Sequence, residues 1–235
     1  MTAERDQIAR LIDHAALHPA HSAADTRAAC AVAARQRVAA ACVKPCYVQT
    51  AVEALRGSPV AVCAVIGFPH GNSATAIKLE EARLALDQGA REIDSVVNLG
   101  ALKSGDWPAV QRELERLQSL VSAHDAVFKL IFECGLLADD EVRRLARLCA
   151  EIPLDFVKTS TGFATARDAG SGGLRALGAT SDAVRMMADE VGGRCRIKAS
   201  GGIRTLADVL EFRALGCARI GTSSTEAILD ECADR

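Results

Sequence analysis

The chain has 235 residues, 49% of them hydrophobic and 25% charged, a composition that excludes a disordered or low-complexity protein. Its net charge of −2 offers no electrostatic footprint for nucleic acid or an anionic membrane surface, and no run of about 20 uncharged apolar residues is present to span a bilayer. Nine cysteines, an odd number, in a chain whose start (MTAERDQIAR) lacks an apolar export segment point to reduced thiols in the cytoplasm.

In chain order, the first apolar run is Leu11–Ala15. It is followed by Ser22 and Asp25, spaced as a capping box that opens a helix. Val38–Lys44 and Val60–Phe68 read as strands. Ala74–Asp87 reads as a helix, with Ala76, Ile77, Leu79, Leu84 and Leu86 at helical spacing and Gly89 beyond its end. Glu92–Asn98 is the next strand. Asp106 and Pro108 then mark a helix start ahead of Ala109–Val121. Strand Val127–Glu133 precedes helix Asp140–Ala150, and strand Phe156–Ser160 precedes helix Asp182–Val191, closed by Gly192. Strand Arg196–Ser200 is followed by a Thr205–Asp208 capping box and helix Leu206–Leu215 with Gly216 beyond it. The last strand is Arg219–Gly221. Eight strands alternating with helices require parallel pairing. Eight such units in this length predict an α/β fold, a closed (β/α)₈ TIM barrel forming a single domain over residues 1–235. An open doubly wound sheet is the alternative, but no G-x-G-x-x-G follows the first strand.

A barrel places its chemistry at the C-terminal ends of its strands. Residues two apart on a strand share a face, so Asp94 lies with Val96 and Asn98, Lys129 with Ile131 and Glu133, Lys158 with Phe156 and Ser160, and Lys198 with Arg196 and Ser200. Charges within apolar strands are costly unless paired, and four strands carrying Asp94, Lys129, Lys158 and Lys198 predict a shared polar interior. A Lys129–Glu133 pair across strands, and Lys44 at the rim, are the simpler structural readings. Two ammonium groups about 5 Å apart at an effective dielectric of about 20 repel by roughly 3 kcal/mol, about two pKa units. One lysine would then hold free amine near neutral pH, able to form a Schiff base with an aldehyde or ketone. A carboxylate such as Asp94 could move the protons. On this argument Lys129, Lys158 and Lys198 are all candidates for the nucleophile.

Ser200-Gly201-Gly202 after the seventh strand and Gly221-Thr222-Ser223-Ser224 after the eighth predict a phosphate site built from backbone amides and hydroxyls, to which Gly162 adds an amide. His14, His18 and His21 form an H-x₃-H-x₂-H run, but Pro19 interrupts it and keeps the three off one helical face. Cys42 and Cys46 are not a C-x-x-C pair, so no metal site is expected.

These motifs carry a resemblance. FVKTSTGF around Lys158, RIKASGGIRT around Lys198, EIDSVVNLG around Asp94 and VIGFPHG at 65–71, with CVKPCYV and KLIFECGLL, are similar to the 2-deoxyribose-5-phosphate aldolase family of class I aldolases, from Asp13 to Ser224. The resemblance implies reversible cleavage of 2-deoxy-D-ribose 5-phosphate into acetaldehyde and D-glyceraldehyde 3-phosphate, without a cofactor, in a cytoplasmic homo-oligomer, a dimer or tetramer. It implies Lys158 as the Schiff-base lysine, Lys198 as the residue that perturbs it, and Asp94 in proton transfer. Lys129 and Cys42 fall on pocket positions, and Gly162, Gly201, Gly202, Ser223 and Ser224 on phosphate-contacting segments. A class I aldolase of the same fold with another aldehyde donor or sugar phosphate is the alternative. The sequence departs from the family in four places. Ala15 and His18 stand where Thr and Lys are commoner. Phe163 stands where some members carry Lys near the phosphate. Ala164–Leu177 is longer than the usual Gly-rich link and reads as a lid or a surface insertion. Tyr47 is the only tyrosine, so the proton transfer some members assign to a terminal Tyr is expected to fall to water and Asp94, or to another group.

Overall fold

The computed structural model describes residues 3–167, 170 and 172–232. Eight parallel strands close into a barrel: β1 (Ile12–Ala16), β2 (Ala40–Val43), β3 (Ala61–Ile66), β4 (Glu92–Val96), β5 (Val127–Ile131), β6 (Phe156–Lys158), β9 (Arg196–Ser200) and β10 (Arg219–Thr222). Each pairs with the next, and β10 closes onto β1 with Asp13 opposite Gly221. The eight-stranded barrel expected from the alternation is therefore present.

Helices α1 (Ala3–Ala9), α2 (Ala23–Gln36), α3 (Val48–Ala54), α4 (Thr75–Asp87), α5 (Leu99–Lys103), α6 (Trp107–Ser122), α7 (Asp139–Glu151), α8 (Ser181–Val191), α9 (Leu206–Ala214) and α10 (Thr225–Glu231) surround it. The strands' outward faces and the helices' inward stripes make one continuous apolar layer. In α6 that stripe is Val110, Leu114, Leu117 and Val121, the i, i+4, i+7 spacing that puts side chains on one face. The capping boxes at Ser22–Asp25 and Thr205–Asp208 form, and Asp106 accepts from the Ala109 amide at the start of α6.

Several strands end earlier than the apolar runs predict, because the last residues of each run turn to other work. Asn98 leaves β4 and caps α5 through the Ala101 amide. Glu133 leaves β5 with φ +59. Gly67 turns out of β3 at φ +55, a conformation that favours glycine. Residues 165–176, within the insertion, carry an antiparallel pair, β7 (Thr165–Arg167) with β8 (Leu174–Ala176), that stands outside the barrel; residues 168, 169 and 171 of that stretch lie outside the described residues.

The barrel interior is divided. Ala40, Cys42, Cys63 and Val65 of β2 and β3, with Leu17, form a small apolar cluster of their own. The remaining strands fill the interior with charge.

Candidate active site

Asp94 lies at the centre of that charge, fully buried. Its Oδ2 accepts from Lys158 Nζ at 2.8 Å and from Lys198 Nζ at 2.9 Å, and its Oδ1 from Lys129 Nζ at 2.7 Å. The four charged residues expected to converge thus meet, each lysine bonded to Asp94. The register explains it: Asp94 is opposite Lys129 across β4–β5, and Lys158 is opposite Lys198 across β6–β9.

A lower layer supports them. Lys198 also donates to Asp13 Oδ2 at 2.5 Å, and Lys129 lies 2.5 Å from Glu92 Oε2. Arg219 joins the two carboxylates beneath, at 2.6 Å from Asp13 and 3.0 Å from Glu92. Asp13, Glu92 and Arg219 are not among the site residues the sequence predicts, although Asp13 in IDHAA meets the same test of a charge inside an apolar strand.

These carboxylates reverse the effect that lysine repulsion alone would have. Burial pulls Lys129 and Lys198 down, but Asp94, Asp13 and, for Lys129, Glu92 overcome it and hold both ammoniums above the ordinary lysine range. Burial likewise pushes Asp13 and Asp94 up, and the surrounding cations outweigh it, leaving Asp13 at about 2 and Asp94 well below its usual value. Three carboxylates face four cations in this network. Lys129 and Lys198 each engage two or more carboxylates and Arg219 two, whereas Lys158 is ion-paired to Asp94 alone.

Above the cluster opens a cavity of about 570 Å³ at the C-terminal ends of the strands. Lys158, Lys198 and Cys42 line it, together with Gly162, Gly201, Gly202, Ser223 and Ser224. Lys129, expected in the lining, is not there. It lies behind Asp94, with no exposed surface. The loops after β6 and β9 are laced together: Thr159 Oγ1 donates to the Ser200 carbonyl at 3.2 Å and accepts from the Ser200 amide at 3.1 Å, and Ser200 Oγ donates to the Ser160 carbonyl at 2.5 Å. Gly178 packs on the same turn so closely that a Cβ there would sit 2.4 Å from the Gly201 carbonyl oxygen.

The simpler readings separate here. Lys129 and Glu133 do not pair; Glu133 turns away and accepts from the Thr161 amide and hydroxyl. Lys44 does stand at the rim, donating to the carbonyls of His18, Pro19 and His21 at 2.7–3.1 Å. His14 is held by Thr225 at 2.8 Å, whereas His18 and His21 face the cavity, so the three imidazoles do not converge. Among the described residues, the group close enough to hold a metal is Cys42, Cys63 and Asp94, and the Lys129 ammonium already bonds Cys63 Sγ at 3.3 Å and Asp94. Phe163 stands at the mouth, edge-on to Phe68 with ring centroids 5.4 Å apart.

Known proteins are similar to this chain over nearly its whole length. A deoxyribose-phosphate aldolase of Mycobacterium avium is 43% identical over 234 residues, covering 98% of this chain and 99% of its own. One from Rhodopirellula baltica is 39% identical, covering 95% and 88%. The solved tetrameric deoxyribose phosphate aldolase of Aeropyrum pernix superposes with a TM-score of 0.85 at 29% identity, over 97% of this chain and 92% of that one. The family model of DeoC/LacD family aldolases matches residues 7–229, from the first helix to the last. A match of that extent makes this chain a member of the DeoC/LacD aldolase family.

Proposed function

We propose that the protein catalyses the reversible aldol cleavage of 2-deoxy-D-ribose 5-phosphate to acetaldehyde and D-glyceraldehyde 3-phosphate through a Schiff base on Lys158. The observation that carries this reading is the difference among the three buried lysines. Lys129 and Lys198 are each locked between carboxylates, while Lys158 faces the cavity and shares Asp94 with Lys198. Loss of the Lys158 proton brings the network of three carboxylates and four cations to zero net charge. The neutral amine attacks the C1 aldehyde of the open-chain sugar, and loss of water gives a protonated imine. The imine draws electrons from the C2–C3 bond as the C3 hydroxyl loses its proton. Glyceraldehyde 3-phosphate leaves, and the remaining enamine is protonated and hydrolysed to acetaldehyde. Asp94, directly or through water, carries the protons, and the Lys198 ammonium keeps Asp94 ionised between steps. Backbone amides of Gly162, Gly201, Gly202, Ser223 and Ser224, with the serine hydroxyls, hold the phosphate in the cavity.

The active form is a homo-oligomer in the cytoplasm. Supporting this are the tetramer of the Aeropyrum pernix relative and buried thiols such as Cys30, Cys134 and Cys149, which are not disulfide-bonded. No helix among the described residues is long and apolar enough to cross a membrane.

Borohydride trapping tests the reading. With acetaldehyde and reductant, Lys158 is expected to carry the added ethyl group, and 2-deoxyribose 5-phosphate to compete for it. A label at Lys129 or Lys198 overturns the assignment of the nucleophile, and no label at any lysine overturns the Schiff-base mechanism. Phe163 at the mouth favours a second reading, a class I aldolase with a less polar acceptor. It is distinguished by label at the same lysine with no competition by the sugar phosphate.

A further inference from the structure

Cys42 and Cys63 stand directly opposite each other on the paired strands β2 and β3, both facing the barrel interior. Adjacent strands lie about 4.8 Å apart, within the Cα separation that a disulfide spans. The two sulfurs lie within 4.8 Å of each other. Both are thiols. Cys63 Sγ also donates to Asp94 Oδ1 at 3.1 Å and accepts from Lys129 Nζ at 3.3 Å.

The two sulfurs differ in access. Cys42 lines the cavity above Lys158, whereas Cys63 is fully buried behind it and absent from the lining. They also differ in reactivity. The neighbouring Cys63 and the nearby Lys198 and Lys158 ammoniums hold the Cys42 thiol below the ordinary range, while burial pushes Cys63 well above it. Burial, the largest cause at each, pushes Cys30 and Cys195 to about 11 and Cys134 and Cys217 to about 12. A reactive thiol lining the pocket, backed by a second thiol on the paired strand, is the arrangement of an attacking and a resolving cysteine.

We propose that Cys42 and Cys63 are an oxidative modification site, at which hydroperoxides entering the cavity form a disulfide that reversibly stops turnover. The Cys42 thiolate sulfur attacks one peroxide oxygen and the O–O bond breaks. The hydroxide or alkoxide that leaves takes a proton, so the peroxide is reduced by two electrons and Cys42 becomes a sulfenic acid. Cys63 sulfur then attacks Cys42 sulfur, the S–O bond breaks, and the departing hydroxide takes the Cys63 proton as water. Two thiols and one hydrogen peroxide thus give one disulfide and two waters. The S–H that donated to Asp94 is gone, and the pair is drawn together at the wall beside Lys158. A small thiol reverses the bond by exchange.

The test uses the intact protein and graded hydrogen peroxide. Remaining thiols are alkylated under denaturing conditions, and unreduced peptides are mapped by mass spectrometry. The expected result is a Cys42–Cys63 linked peptide whose yield tracks a fall in kcat/KM of about tenfold or more, both reversed by dithiothreitol. In Cys63→Ala the linkage cannot form. Oxidation at Cys42 then runs on to the sulfinic acid, and dithiothreitol no longer restores the rate. Cys63→Ser makes the same test if the alanine variant does not fold, and the exposed Cys46→Ser variant behaves as the unmodified protein does. Cys42 and Cys63 remaining fully alkylatable after peroxide overturns the proposal, as does linkage without loss of rate. The peptide map reads the bond whether or not the aldolase reading holds, so failure of one is distinguishable from failure of the other.

Discussion

Arg219 holds both carboxylate oxygens of Glu92, with Nη2 on Oε1 at 3.0 Å and Nη1 on Oε2 at 3.1 Å, at the N-terminal end of the barrel. The pair forms the floor on which the reactive layer rests, because Glu92 also anchors Lys129 and Arg219 also anchors Asp13.

Removing one side of this floor strands a buried cation. Glu92→Gln is expected to lose about 3 kcal/mol of stability in urea unfolding. The Glu92→Gln/Arg219→Met double variant is expected to lose less than the sum of its two single variants, since it leaves fewer charges unmatched. Strict additivity in that cycle would show that the two side chains do not act as a unit.

Asp13 sets the acid limit of the fold. Its carboxyl lies at about 2 in the folded chain against an ordinary value of 3.8, so the folded state favours the ionised form. That contribution, about 2 kcal/mol, is complete above the ordinary value and is lost as pH falls through the interval toward 2. Asp13→Asn should therefore melt well below the unmodified protein at about pH 7, and the difference should shrink as pH falls through about 4. A gap that stays constant across that range would exclude ionisation of Asp13 as its source.

The three lysines should respond differently to truncation. Lys158→Met is expected to lower kcat by about 10³-fold or more and to abolish borohydride trapping, with the fold retained. Lys129→Met leaves Asp94 and Glu92 short of a cation and should cost stability first, while trapping at Lys158 persists. Trapping lost in Lys129→Met at full folding would assign Lys129 a chemical role.

Phe163 lines the cavity with an aromatic ring that is 37% exposed. Phe163→Lys is expected to lower KM for 2-deoxyribose 5-phosphate by roughly fivefold, about 1 kcal/mol for a half-exposed ion pair, and to leave KM for the unphosphorylated sugar unchanged. Equal effects on both sugars would mean that residue 163 does not read the phosphate.

The barrel and the upper half of its site were legible in the chain, and for one reason. A charge at period two in a Val- and Ile-rich run has to find partners inside, and Asp94, Lys129, Lys158 and Lys198 do. Glu92 and Arg219 were hidden because they begin their strands, where exposure at a rim explains a charge equally well. Cys63 was hidden because a thiol in an apolar run reads as a small hydrophobe. The β7–β8 hairpin left no signal: its strands are three residues long and largely exposed, so no buried face imposes alternation. The effect on the lysines could not be read from their spacing either, since it depends on the carboxylates interleaved between them.

The bond from Lys198 to Asp13 joins residues 185 positions apart and crosses the seam where the barrel closes. While the chain is being synthesised, Asp13 emerges early, and it lacks this partner until nearly the whole polypeptide has left the ribosome. Lys198 and Lys129 acquire Asp13 only in the closed ring. A nascent or half-unfolded chain therefore lacks the complete charged network, and aldehyde turnover reports completion of the last strand.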